Sequence, residues 1–376
     1  MTDIAKLLCE LIALPSVNPA FLPAGDAWAG EERVADFVAV TAARAGLEIE
    51  LEKVLPGRFN LIAHLRPTGR ATKTILLAPH LDTVPPWDES QFVPRQEGDR
   101  LYGRGACDTK GSVASMLSAV IALANSKNRP RETEIIFAGL VDEENGQAGS
   151  RALARSRLKA DLAIVGEPTS CQIVTAHKGN IWLEIETHGR SAHGSRPELG
   201  RNAVHAMARI VDALETEYAA TLRRRRHSLL GHATINVGTI CGGTQPNIVP
   251  DACTITIDRR TLPGETEAGA RREIQSFLAR KKLKATFSMA RQSPCSPMET
   301  NTRLPMVQQF LRSARQRKPV GVNYFCDAAV LAEGGIPSVV FGPGDIAQAH
   351  TPDEWISLRS LERATAMLVR FLSSQP

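Results

Sequence analysis

Hydrophobic residues along this chain follow two periodicities, and the change between them outlines its organisation. Up to about residue 177, short apolar runs alternate with segments of helical spacing. In the opening stretch MTDIAKLLCELIALPSVNPA, Lys6 and Glu10 interrupt the apolar residues at helical spacing, which predicts an amphipathic helix and not a signal peptide. Glu31–Gly46 shows the same periodicity, and Ser112–Asn125 predicts a buried helix starting just past Gly111. TILLAPH (Thr74–His80), TEIIFAGLV (Thr133–Val141) and DLAIVGEP (Asp161–Pro168) are short and apolar, and predict buried strands. Such strands separated by helices predict an α/β domain whose sheet is mixed, mostly parallel and covered on both faces.

Beyond His177 the period becomes two. In NIWLEIETHG, Ile181, Leu183 and Ile185 alternate with Trp182, Glu184 and Glu186, as in a half-exposed antiparallel strand. A helix over Asn202–Tyr218 follows, then strands ATINVGTI and ACTITIDRR, a helix over Glu265–Arg280 and the strand KATFSMA. The order β-α-β-β-α-β predicts a small α+β sandwich of ferredoxin-like type. After about Arg291 the first pattern returns, with IPSVVFGPG as a strand and ISLRSLERATAMLVRFLSS as a terminal helix. The chain is therefore expected to hold one domain of residues 1–177 and 291–376, interrupted by a second of residues 178–290. Its 376 residues exceed one ordinary core, which agrees with two domains.

Composition narrows the function by exclusion. The net charge of +5 is too mild to argue for a nucleic-acid partner, and the run Arg223–Arg226 reads as a solvated face. Seven scattered cysteines with no CxxC pair exclude a cysteine zinc site and a disulfide framework, and point to a reducing, cytoplasmic setting. No stretch approaches the roughly 18 apolar residues of a membrane span, so no membrane association is expected.

Chemistry gathers at the ends of the predicted strands. TILLAPHLD delivers His80 and Asp82, and open α/β sheets place their sites at such ends. A metal-bound imidazole usually donates its second ring N–H to an oxygen, and Asp82 stands where it can orient His80. LYGRGACDTKG holds Asp108 in a glycine turn; the phosphate-loop spacings are absent, so a metal-binding carboxylate suits it better. TEIIFAGLV runs into Asp142, Glu143 and Glu144, whose mutual repulsion calls for a cation. The next strand ends in Glu167, and a glycine-rich turn after IPSVVF leads to His350. Two imidazoles, several carboxylates and no sulfur suit a pair of zinc-like ions bridged by one carboxylate.

The ordered motifs HLD, GRGxxDxKG, DEE, GEP and AHxxDE resemble, over nearly the whole chain, the acetylornithine deacetylase / succinyl-diaminopimelate desuccinylase / carboxypeptidase G2 family of dinuclear zinc hydrolases. The resemblance implies two zinc ions per subunit, with cobalt able to substitute. Asp108 would bridge them, His80 and Glu167 completing one and Glu144 and His350 the other. It makes Glu143 the general base and Asp82 the partner of His80. It implies that the inserted domain is a lid and the interface of a homodimer. His193, in GRSAHGSRPELG, resembles a lid histidine that reaches the neighbouring subunit's site. Asn247 in GGTQPNIVPD and Arg259 in TIDRRTLPGE resemble substrate contacts, with Arg259 pairing with a free carboxylate. AHTPDEW and LIALPSVNP look most like the acetylornithine deacetylase branch, which implies a small N-acyl amino acid as substrate and a place in arginine biosynthesis. A desuccinylase and a carboxypeptidase remain open. A non-catalytic metal-binding protein is disfavoured, since it has no need of a base such as Glu143 beside the ligands.

Overall fold

Four apolar strands form the parallel centre of the larger sheet. In a computed structural model, which describes residues 2–290 and 295–376, Thr133–Gly139 lies beside Lys73–Pro79, followed by Leu162–Gly166 and Ser338–Val340. Their near-continuous burial explains why each reads as an unbroken apolar run and not as an alternating one. Glu48–Leu55 and Arg58–Leu65 extend this sheet as an antiparallel hairpin turning at Pro56-Gly57, where Gly57 has φ 70°. The hydrophobic pattern does not predict this hairpin, because its outer strand is partly exposed and mixes Glu and Lys with its apolar residues. Lys110–Ala124 is buried along most of its length and packs with Asp3–Ile12 and Leu358–Ser373 in one core.

The second sheet is wholly antiparallel, in the order Thr234–Gly242, Ala252–Thr261, Gly179–His188, Thr286–Met289. The helices Ala203–Ala213 and Glu267–Arg280 pack on the face formed by Ile181, Leu183, Ile185, Ile255 and Ile257. This is the ferredoxin-like arrangement. The first of these helices does not stop at Tyr218: it passes through a widened turn, Leu214–Tyr218, into Ala219–Arg223. Leu214, Tyr218 and Leu222 are all buried, so an i+4 apolar stripe carries the helix on.

The chain separates into two compact units, Met1–Thr175 with Thr300–Val320 and Cys326–Pro376, and Ala176–Glu299 with Gly321–Phe325. The return of Gly321–Phe325 to the second unit has no signature in the hydrophobic pattern. The boundary anticipated at 290/291 abuts residues 291–294, which lie outside the described residues. Among the described residues no helix is long and apolar enough to cross a membrane.

Candidate metal centre

Four strand ends and one glycine turn of the first unit deliver a cluster of acids and imidazoles. His80 directly follows Lys73–Pro79 and is buried. Its Nδ1 donates to the backbone oxygen of Asp82 at 2.9 Å, which leaves Nε2 facing Asp108 Oδ1 at 3.1 Å and Glu167 Oε1 at 3.9 Å. His350 Nε2 lies 3.4 Å from the other oxygen of Asp108 and 3.2 Å from Glu144 Oε2. Ligand atoms of His80, Asp108 and Glu167 lie within 4.8 Å of one another, and so do those of Asp108, Glu144 and His350. Asp108 belongs to both groups and Glu143 to neither.

The three adjacent acids part company. Asp142, at φ 70°, turns back into the scaffold, where its Oδ1 accepts from Arg58 Nη1 and Asn18 Nδ2, each at 3.0 Å. Arg58 in turn pairs with Glu31 through both Nε and Nη2. Glu143 and Glu144 are held by their backbone: their N–H groups donate to the two carboxylate oxygens of Asp82, each at 3.1 Å. Asn18 Nδ2 donates to the same carboxylate at 2.7 Å. Asp82 thus orients His80 mainly through its main chain, its carboxylate standing 3.4 Å from Nδ1. That carboxylate chiefly fixes the turn that carries Glu143 and Glu144. Hydropathy and motif spacing give no signal for Arg58 or Glu31, and the motif LIALPSVNP that contains Asn18 does not reveal its partners, because these lie far along the chain.

The electrostatics of this cluster fit a cation. Burial first, and then the neighbouring Glu167, push the Glu143 carboxyl well above the usual carboxylate range. Burial and Asp108 do the same to Glu167, and raise Glu144 as well. Against burial, the hydrogen bond and charge of His80 hold both Asp82 and Asp108 low. The hydrogen bond to Glu144 lifts His350 to about 9. Five carboxyls thus crowd two imidazoles in a dry setting, an excess of negative charge that divalent ions offset. The donors are oxygen and nitrogen throughout, the set that suits zinc and similar ions.

The remaining expected site residues lie in the second unit. His193 is exposed and its Nδ1 meets Ser195 Oγ at 2.7 Å. Its loop pairs with that of Asn247: Gly194 N–H donates to Asn247 O at 2.7 Å, and Val249 N–H to Ala192 O at 2.9 Å. His193 and Asn247 therefore share one loop pair. Arg259, the expected partner of a substrate carboxylate, does not join that loop pair. Its side chain is 0% exposed, and its Nη2 is bound to Glu265 Oε1 at 2.7 Å. A substrate carboxylate would have to displace Glu265 to reach it. The alternation of Ala252–Thr261 explains this, because odd positions face the helices and even positions face away. Arg260, on the open phase, is braced by Asp258 at 3.0 and 3.1 Å.

A cluster of buried acids with one buried and one exposed imidazole at the strand ends of an α/β unit, in a chain with a βαββαβ insertion, defines a metal-dependent hydrolase. The chain belongs to peptidase family M20/M25/M40, whose profile matches residues 76–374. It is 33% identical over 373 residues to an acetylornithine deacetylase of Yersinia pseudotuberculosis, covering 95% of this chain and 93% of that protein. To an acetylornithine deacetylase of Myxococcus xanthus it is 31% identical over 349 residues, covering 89% and 90%. Among solved structures, aminopeptidase PepT from Bacillus cereus matches with a TM-score of 0.80 at 24% identity, over 98% of this chain and 97% of that one. A metallo-carboxypeptidase of the same family from Sulfolobus solfataricus gives 0.79 at 20% identity, over 99% of each chain. These two structures establish the fold. The family places the chain among metal-dependent enzymes acting on acylated amino acids or peptides.

Proposed function

We propose that this protein is a dinuclear zinc amidohydrolase that removes the acyl group from a small N-acyl amino acid, most like acetylornithine. The observation that carries the reading is the sharing of Asp108 between two ligand groups, with Glu143 beside them and in neither. Relatives called acetylornithine deacetylase, similar over nearly their whole length, support the substrate. His80, Asp108 and Glu167 would hold one zinc ion, and Asp108, Glu144 and His350 the second, with cobalt able to replace them. When bound, the ions supply Lewis acidity at the amide carbonyl and make water acidic enough to act near neutral pH. Glu143 takes a proton from the attacking water on its carboxylate and returns it to the leaving amine nitrogen. His193 donates to the developing oxyanion from the partner subunit of a homodimer formed through the inserted unit, and Asn247 contacts the substrate beside it. The carboxylate-binding role passes from Arg259 to Arg260, whose guanidinium is on the open phase of the strand. Seven scattered cysteines with no CxxC pair support a reducing, cytoplasmic setting.

The test is a panel of acetyl, succinyl and peptidyl amino acids, each with a free and an amidated α-carboxylate, assayed with zinc- and cobalt-loaded protein. Acetylated amino acids with a free carboxylate should be cleaved fastest. Preference for succinyl or peptide substrates would assign another branch of the family, and equal rates on amidated substrates would remove the carboxylate contact.

A further inference from the structure

The turn Gly103–Asp108 aims its backbone N–H groups at a single carboxylate. Glu354 Oε1 accepts from Cys107 N and Asp108 N, each at 2.9 Å, and Oε2 from Gly105 N at 3.0 Å. Arg104 Nη1 donates to Oε2 at 2.6 Å. Both side chains of that ion pair are within 1% of complete burial. The turn needs its glycines. Gly105 has φ +80°, and a Cβ there would meet Lys110 Cδ and Thr83 Cγ2 at 2.9 Å. Successive N–H groups curled round a centre make an anion-binding concavity, of the kind that elsewhere takes phosphate. Here the chain fills it with its own glutamate.

Glu354 also sits where the two ligand-bearing segments meet. Its backbone oxygen accepts from Gly103 N at 3.0 Å, and the strand after it, Trp355–Ser357, pairs with Arg100–Tyr102. Four residues earlier stands His350. The turn itself ends in Asp108, which faces His80 and His350. One buried carboxylate thus grips both the turn that delivers Asp108 and the segment that delivers His350.

We propose that Glu354 is a positioning residue of the metal centre, clamping Asp108 and His350 into one rigid unit. The proposal rests on the two-ion reading above. The competing role is confined to neutralising Arg104 in the core, and the two roles separate by experiment. Zinc affinity is measured by competition with a chromophoric chelator, stoichiometry by elemental analysis, and coordination by the visible spectrum of the cobalt-loaded protein. Glu354→Gln turns an amide N–H toward a donor, whereas Glu354→Asp keeps the charge but withdraws it from the turn. Both should fold by circular dichroism, bind zinc 10- to 100-fold more weakly, as loss of a ligand's supporting partner typically does, and give an altered cobalt spectrum. The double variant Arg104→Met/Glu354→Gln removes the unpaired charge. It should regain thermal stability without regaining zinc affinity.

Wild-type affinity and spectrum in either single variant, or full recovery of affinity in the double variant, would overturn the proposal. Should Glu354→Gln fail to fold, Glu354→Asp and the double variant still decide it. Fewer than two zinc ions in the wild type would refute the two-ion reading instead, and the Glu354 comparison would then be made on the ion that binds.

Discussion

In the first unit the acids and imidazoles of the centre stand at strand ends or in the glycine turn and most are buried, and His80, Glu143 and Glu144 are fixed by hydrogen bonds to Asp82. In the second unit His193 and Asn247 stand exposed on paired loops, steadied by Ser195 and by main-chain contacts. The difference agrees with the proposed roles of the two groups. A cation offsets the burial of several carboxylates, so a metal centre gains from a dry, rigid setting in which charges interact strongly. A side chain that meets a substrate arriving from solvent gains nothing from being sealed in. Arg259 and Arg260 repeat the contrast within one strand: the first is bound to Glu265 inside the unit, and the second, 29% exposed, is braced by Asp258 on the open phase.

The strongest test of this contrast is Asp108→Asn. Because Asp108 belongs to both ligand groups, elemental analysis should find both ions weakened and activity should vanish. Retention of two ions would break the shared-ligand reading. Next, Glu143→Gln should keep its metals and lose roughly 100-fold or more in kcat, the scale of general acid–base catalysis. His193→Ala should lose about 3 kcal/mol of transition-state stabilisation, roughly 100-fold in rate. Mixing it with Glu143→Gln and letting subunits exchange should restore about a quarter of the sites, since a twofold dimer then holds one site with neither defect. A mixture that stays inactive would place His193 in its own chain's site, or in none.

The two arginines should part in kind. Arg259→Met removes a buried charged hydrogen bond from Glu265, which keeps Arg225 and the Leu262 N–H, and should cost about 2 kcal/mol in urea unfolding. Arg260→Met should leave stability nearly unchanged and raise KM for free-carboxylate substrates. The reverse pattern would restore Arg259 as the substrate contact.

The smallest effect concerns His177, which burial pushes down to about 4. Its unfolded value is near 6.5. Between these values the unfolded chain binds more protons than the folded one, so stability falls as pH drops from about 6.5 towards 4 and is unaffected above. Urea unfolding at pH 7 and pH 5 should show the wild type losing about 2 kcal/mol more than His177→Gln. Imidazole resonances of His177 that titrate between pH 6 and 7 would contradict this.

Much of this molecule was legible without coordinates. Buried parallel strands carry unbroken apolar runs and half-exposed antiparallel strands alternate, so the two sheet types announced themselves on either side of His177. Of the five residues that converge, His80, Asp108, Glu167 and His350 could be named because a side chain's chemical type and its place near a strand end are local properties, whereas Glu144 was singled out from its two acidic neighbours by the family resemblance. Even Arg259 carried a readable warning, since it shares the phase of Cys253, Ile255 and Ile257. Tertiary structure alone decided which of three adjacent acids turns inward. Asp142 goes to Arg58 and Asn18, while Asp82, some sixty residues away, catches the next two N–H groups. It alone decided that the glycine turn at residue 103 closes on Glu354, about 250 positions later. A side chain's chemistry is written at its own position, whereas its hydrogen-bond partner depends on where folding places atoms that are remote in sequence.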